Sequence, residues 1–273
     1  MNVTTRPEAT DPRQISDPAE LRRLIRDGSY AGPTGGLAMG RVQANMAIMP
    51  ADYADDFLRY CQRNPKPCPL LAVSEPGDPA LPGLGADIDV RTDVPSYRVF
   101  RNGELAEEVN DIRSLWQKDF VAFALGCSYS FEQAIIEAGL RLHHVDARMG
   151  PPRYISGIDT VPAGPFSGKM VVTLRAFPPA DAIRAIQVTS RFPMVHGAPV
   201  HVGDPRLIGI EDLDTECDSK FVPYDQDAEI PLFWACGVTP QVAVEAARPP
   251  IFITHKPAHM LICDTLNTTL AAF

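Results

Sequence analysis

The sequence predicts an α/β protein, a mixed and largely parallel sheet with flanking helices plus a smaller α/β lobe. Three observations predict it. Apolar runs of strand length recur through the 273 residues, and two of them lead straight into helical patterns. The 27 prolines fall between periodic segments, as in ordered loops rather than disorder. A strand–helix–strand succession at 168–202 follows an irregular patch, Arg148–Tyr154. It places a small β-α-β lobe at 150–205, inserted into a main lobe of 1–149 and 206–273.

The chain in order supports this reading. Met1–Gln14 reads as a loose leader. Asp17 caps a helix to about Arg26, with Pro18 in its first turn and Gly28 beyond its end. Gln43–Met49 is a strand, stopped by Pro50. Ala51–Gln62 is an amphipathic helix. The rigid link Asn64–Pro69 enters a strand at Leu70–Val73. Asp87–Pro95 alternates charged and apolar residues. Asn102-Gly103 between Tyr97–Phe100 and Leu105–Val109 signals a hairpin. Ile112–Lys118 reads as a short helix with Trp116 inward. Gly168–Phe177 is a strand, Pro179–Ser190 a helix, and Met194–Val202 a strand again. Leu207–Ile210 is apolar, and 212–227 is an acidic loop. Glu229–Ala235 is a strand and Gln241–Ala247 a helix. Ile251–Thr254 and Met260–Asp264 are the last strands.

Composition excludes several classes. The chain is 45% hydrophobic with 22% charged residues, enough apolar matter for a sizeable core. Its net charge is −9 and it has no basic run, so nucleic acid and anionic membranes are poor partners. No apolar segment reaches membrane-span length, and the N-terminus does not resemble a signal peptide. Six cysteines without a C-x-x-C read as free thiols in a reducing, cytoplasmic setting. No phosphate-binding glycine loop and no Gly-x-Ser-x-Gly elbow is present.

The central stretch is Gly126-Cys127-Ser128-Tyr129-Ser130-Phe131-Glu132. The run Phe120–Leu125 leads in and a helix, Phe131–Ala138, leads out to Gly139. Ser130 and Gln133 have capping-box spacing. Such a turn aims free N–H groups and a positive dipole end at its occupant, and lowers the pKa of a thiol such as Cys127. The alternative is a buried filler cysteine beside capping serines. The pattern recurs at Cys236-Gly237-Val238-Thr239-Pro240, with Thr239 as cap, so two cysteine turns could face one cleft. Arg91 among Asp87, Asp89 and Asp93 is either a carboxylate clamp or a solvated edge. His255 and His259 have four-residue spacing, but Pro257 opposes a helix between them, and no metal or cofactor is expected. Further acid/base candidates are Glu132, His196, His201 and Asp204.

These residues resemble the family of hydro-lyases that shares a domain with D-glutamate cyclase. The resemblance spans about Arg41 to Asp264. It rests on Val42–Asn45, Asn64–Leu71, Asp89–Pro95, Gly126–Glu132, Gly197–Pro205, Phe233–Gln241 and the segment His255–Asp264. It implies a two-lobed α/β fold and a water-eliminating lyase, with cyclisation of D-glutamate to 5-oxo-D-proline as the related activity. Where the family has glycine before its second histidine this chain has Ala258, which predicts an altered turn there.

The expected substrate is a small amino or hydroxy acid with two carboxylates. Cys127, Glu132, His201, Asp204, Cys236 and His255 are the candidate catalytic residues. Asn45, Arg91, Asp93, Ser128, Ser130, Thr239 and His259 are the candidate binding residues. In this scheme Arg91 clamps the α-carboxylate, and turn N–H groups hold the oxyanion. His201 or His255 is the base, and Glu132 or Asp204 the acid. A non-covalent route is favoured over a Cys127 thioester, because a free carboxylate is a poor electrophile. The competing readings are a non-catalytic carboxylate-binding protein and a cysteine-dependent amidase. The hairpin at 97–109 offers an edge for a homodimer.

Overall fold

The computed structural model describes residues 11–272. Its centre is strand β1 (Arg41–Pro50), buried at every position but the first. Helix α1 (Pro18–Arg26) precedes it, with the Asp17 carboxylate accepting the Ala19 N–H at 3.0 Å. Helix α2 (Ala51–Arg63) follows, then β2 (Leu70–Val73), the hairpin β3 (Tyr97–Arg101) and β4 (Glu104–Val109), and β5 (Phe120–Gly126). Helices α3 (Tyr129–Glu137) and α4 (His143–Asp146) lead to β6 (Arg153–Asp159) and β7 (Lys169–Phe177). Then come α5 (Pro179–Thr189), β8 (His201–Val202), β9 (Ile230–Ala235), α6 (Thr239–Ala247), β10 (Phe252–His255) and β11 (Leu261–Leu266).

Seven strands form one sheet in the order β2-β5-β1-β10-β3-β4, with β11 also on β1. Four form the other, in the order β6-β7-β9-β8. Every neighbouring pair is antiparallel, which corrects the expected largely parallel sheet. The reason is insertion. Two strands joined through a helix, β1-α2-β2, do run the same way, but β5 lies between them and antiparallel to both. Likewise β9 lies between β7 and β8. Local sequence carries the strand–helix–strand pattern but not which later strand enters the gap. Strand β9 lies outside the expected 150–205 lobe, yet it pairs with that lobe's strands.

The two sheets repeat one plan. In each, a buried strand runs up to a proline (Pro50 as its last residue, Pro178 just after it), a helix beginning Ala-Asp or Pro-Ala-Asp follows, and an inserted strand leads into a cysteine turn. The equivalence reaches single hydrogen bonds. Gln43 N donates to the Ser130 hydroxyl at 3.3 Å, and Val171 N to the Thr239 hydroxyl at 3.1 Å.

Alternation along β1 sends Val42, Ala44, Met46 and Ile48 into one core and Ala47 and Met49 into another, beneath α2 and α6. In the second core Phe57 meets Phe123 edge-on at 4.9 Å and Phe166 at 5.2 Å. Each such ring contributes about 1.5–3 kcal/mol by burial. A third core joins α3 and α5 to the small sheet around Trp234.

Four local expectations are corrected. Ile112–Lys118 is a turn, with Trp116 packed against the first core and donating to Gly77 O at 3.0 Å. Asp87–Pro95 is irregular, because its aspartates turn towards arginines rather than into a ladder. Residues 193–195 and 205–208 are single 3-10 turns, each begun by proline. Ala258 adopts φ 68°, so the turn keeps the left-handed conformation despite its Cβ. Ala258 O is held there by the Thr34 N–H at 2.8 Å. The edge strand β4 is exposed and carries Glu104, Glu107 and Glu108, charges that oppose edge pairing.

Candidate functional site

The two cysteine turns meet across Asn45. Its side-chain N–H donates to Gly126 O at 2.8 Å, and its amide packs on Gly237, where a Cβ would lie 2.1 Å from Nδ2. Gly126 is as tight, since a Cβ there would lie 2.1 Å from Met194 O. Glycine at 237 lets that turn close on the asparagine, and glycine at 126 admits the Met194 carbonyl. Cys127 is buried and Cys236 half-buried.

The caps differ from the expected ones. Neither helix has a side-chain N-cap bond. Ser130 and Thr239 sit inside the first turns and accept strand N–H groups instead, tying helix to sheet. Gln133 donates to Glu137 at 2.8 Å rather than closing a capping box. Burial pushes the Cys127 thiol up to about 12, and burial raises Cys236 too. This overturns the expected thiolate: loss of water outweighs the dipole of a nine-residue helix.

Behind Cys127 lies a buried charged group. Arg175, on β7, donates to Glu132 through Nε at 3.0 Å and through Nη2. It also donates to the hydroxyls of Ser128 at 3.1 Å and Thr173 at 2.9 Å. Its guanidinium lies over the Phe131 and Trp234 rings at 5.2 and 5.4 Å. His144 Nε2 is 3.1 Å from Glu132 Oε1, off the line of a hydrogen bond. Burial pushes the Glu132 carboxyl up, but His144 and Arg175 more than reverse this and hold it at about 2. Glu132 is therefore an ionised acceptor with no proton to give at neutral pH.

Arg175 and His144 were missed by sequence reasoning. Arg175 had a visible signal, a lone arginine in the apolar run Val171–Phe177. His144 had none, as its four-residue helix has no periodicity.

A cleft of about 530 Å³ opens beside this group. Tyr129, Glu132, His144, Gln43, Arg41 and Arg148 are among the residues that line it.

The remaining candidates stand apart from the group. His255 fills a fork where β1 exchanges β10 for β11. Its Nδ1 accepts the Met46 N–H at 3.1 Å, and burial pushes it down to about 4. It follows Thr254, whose hydroxyl donates to Met46 O and lies 3.2 Å from His255 Nδ1. His259 Nδ1 lies 2.9 Å from Pro257 O. Arg91 is engaged in a two-point pair with Asp89, at 2.9 and 2.7 Å. Asp93 is fully buried and pairs with Arg26 at 2.8 and 2.7 Å, anchoring α1. His201 Nε2 contacts Asp204 O at 2.7 Å, and its ring lies against Phe233. Asp204 is tied to Arg206, which holds its carboxyl at about 2. His196 is buried at φ 82°, with Nδ1 2.7 Å from Lys66 O, and burial pushes it down to about 4. Among the described residues no three histidines, cysteines or carboxylates gather as a metal site, all six cysteines are unpaired, and no helix is long and apolar enough to cross a membrane.

A cleft lined by a buried carboxylate and an imidazole, with a guanidinium paired to that carboxylate behind it, has the anatomy of a small-molecule enzyme site. The chain belongs to the D-glutamate cyclase family, whose model matches residues 121–264. A Bordetella pertussis protein named "Putative hydro-lyase" is 61% identical over 93% of this chain and 91% of its own. Proteins of the same name from Verminephrobacter eiseniae (56%, covering 97% and 94%) and Dinoroseobacter shibae (58%, covering 90% and 82%) are similar to it as well.

Proposed function

We propose that the protein is a hydro-lyase acting on a small amino or dicarboxylic acid, with loss of water as in the closure of D-glutamate to 5-oxo-D-proline. The family supports the reaction class. The observation that carries the reading is the Glu132–His144 contact, backed by Arg175, at the edge of the cleft.

Ring closure needs a neutral amine, a carboxyl oxygen that leaves as water, and a stabilised oxyanion. Holding amine and carboxyl together supplies much of the rate. Imidazole is the side-chain type suited to moving a proton near neutral pH. In this reading His144 carries the proton between amine and departing oxygen. Glu132, held ionised, lies 3.1 Å from the His144 ring and supplies the neighbouring negative charge. Arg175 keeps Glu132 ionised and ties it to Ser128. The high thiol pKa of Cys127 speaks for the non-covalent route and against a cysteine-dependent amidase.

The test is proton NMR of D-glutamate with the wild type and Glu132→Gln. Formation of 5-oxo-D-proline by the wild type, reduced about 10²-fold or more in the variant, is the expected result. Equal rates in both would overturn the assignment. Binding without turnover across a panel of amino, hydroxy and dicarboxylic acids would leave a carboxylate-binding protein.

A further inference from the structure

Four of the seven buried side-chain polar atoms without a hydrogen-bond partner among the described residues belong to residues of one cleft. They are Gln43 Oε1, Gln133 Oε1, Asn267 Oδ1 and His144 Nε2. Buried polar atoms are rarely left unmet, so such a concentration points to a ligand. Gln43, His144 and Asn267 are 4%, 3% and 6% exposed.

The chemistry of the orphaned atoms is defined. Gln43 Nε2 donates to Thr34 O at 2.9 Å and to Leu37 O at 3.2 Å, which fixes its oxygen as the unmet atom. Gln133 Nε2 donates to the Glu137 carboxylate at 2.8 Å, which fixes its oxygen likewise. Two carbonyl oxygens therefore await donors, and the Asn267 amide presents a third unmet atom. A ligand made only of carboxylates brings none of these. The cleft also carries Arg148, held at φ 54° with no side-chain partner among the described residues. Left-handed backbone at a non-glycine residue is costly and gathers at ligand sites. A guanidinium there suits a carboxylate. The volume of about 530 Å³ lies within the range of small-molecule sites, roughly 300–1,000 Å³, with room beyond the reacting atoms.

We propose that this cleft binds a carboxylic acid bearing at least two hydrogen-bond donors, as ammonium or hydroxyl groups, received by Gln43, Gln133 and Asn267 while Arg148 takes the carboxylate. The proposal rests on reading the cleft as the substrate site, and it makes these residues determinants of specificity. Gln43 is fixed by its own backbone contacts. Gln133 and Asn267 are the positions at which recognition can be altered with least disturbance.

The test is calorimetric binding to the full chain of three acids: glutarate, which has carboxylates and no donors; D-glutamate, with an ammonium; and D-gluconate, with hydroxyls. Wild type, Asn267→Leu, Gln133→Met and Arg148→Ala are compared, with melting curves to establish folding. At least one donor-bearing acid is expected to bind tenfold or more tightly than glutarate, and which one tells ammonium from hydroxyl recognition. Asn267→Leu and Gln133→Met should shrink that preference several-fold, and Arg148→Ala should weaken all the acids together. Glutarate binding as well as both others, no binding by any acid, or an unchanged preference in both folded amide variants would overturn the proposal. Binding is read apart from turnover, so a donor preference without water loss would fail the hydro-lyase reading and leave this one standing.

Discussion

Arg175 and Glu132 show how a buried ion pair is tolerated. Each charge has several hydrogen-bonding partners, and two aromatic rings face the guanidinium. Removing one member strands the other. Arg175→Met should therefore cost about 3–5 kcal/mol in urea unfolding, and the double variant with Glu132→Gln less than that single change. Acid sensitivity has the same origin. Burial moves His196 and His255 from 6.5 to about 4, and their surroundings move Glu132 from 4.5 to about 2. All three bind protons more readily when unfolded. Their stabilising effect is complete above about pH 6.5, fades towards pH 4 as the histidines protonate, and fades further towards pH 2 with Glu132. Urea midpoints should be flat above pH 6.5 and fall below it, and His255→Gln should flatten the upper part of that fall. A midpoint unchanged down to pH 4 would contradict these assignments.

Helices α3 and α6 are placed by their preceding turns, not by strong amphipathic faces. Gly126 and Gly237 permit the approach to Met194 and Asn45, and Ser130 and Thr239 tie each first turn to a strand. Gly126→Ala would press on a backbone carbonyl that cannot rotate away. It should destabilise by about 1–3 kcal/mol, seen as a lowered melting temperature, and loosen the 193–197 segment in hydrogen exchange. The elements themselves were largely legible. Proline and aspartate marked the start of α1, Asn102-Gly103 marked the hairpin, and the cysteine turns marked the starts of α3 and α6. What local sequence lacks is the partner. Asp93 looked like part of a substrate clamp because Arg26, which holds it, lies far away in the chain. Arg91 is different: its partner Asp89 is local and was in view, and what the sequence did not show is that this carboxylate takes up the guanidinium at two points. Cys127 looked like a thiolate because a helix dipole can be read from sequence and the depth of burial cannot.

At the scale of the molecule, two sheets built on one plan bring their cysteine turns together, and the cleft opens beside one of them. The repeat was legible only as a short echo, because its β5 and β9 strands enter from distant sequence. The copies have diverged where the chemistry is proposed: Glu132 in one corresponds to Gln241 in the other, and the arginine on β7 has alanine, Ala47, as its counterpart on β1. The carboxylate–guanidinium pair thus joins the turn of the first copy to the β7 strand of the second, its counterpart Gln241 and Ala47 carries no charge, and the proposed reaction is assigned to the Glu132 side. The most direct test compares D-glutamate turnover in Cys127→Ala and His144→Gln. Proton transfer by His144 predicts that Cys127→Ala stays within about tenfold of wild type while His144→Gln loses about 10²-fold or more. A dead Cys127→Ala beside an active His144→Gln would contradict the account and restore the thiol as the reacting group.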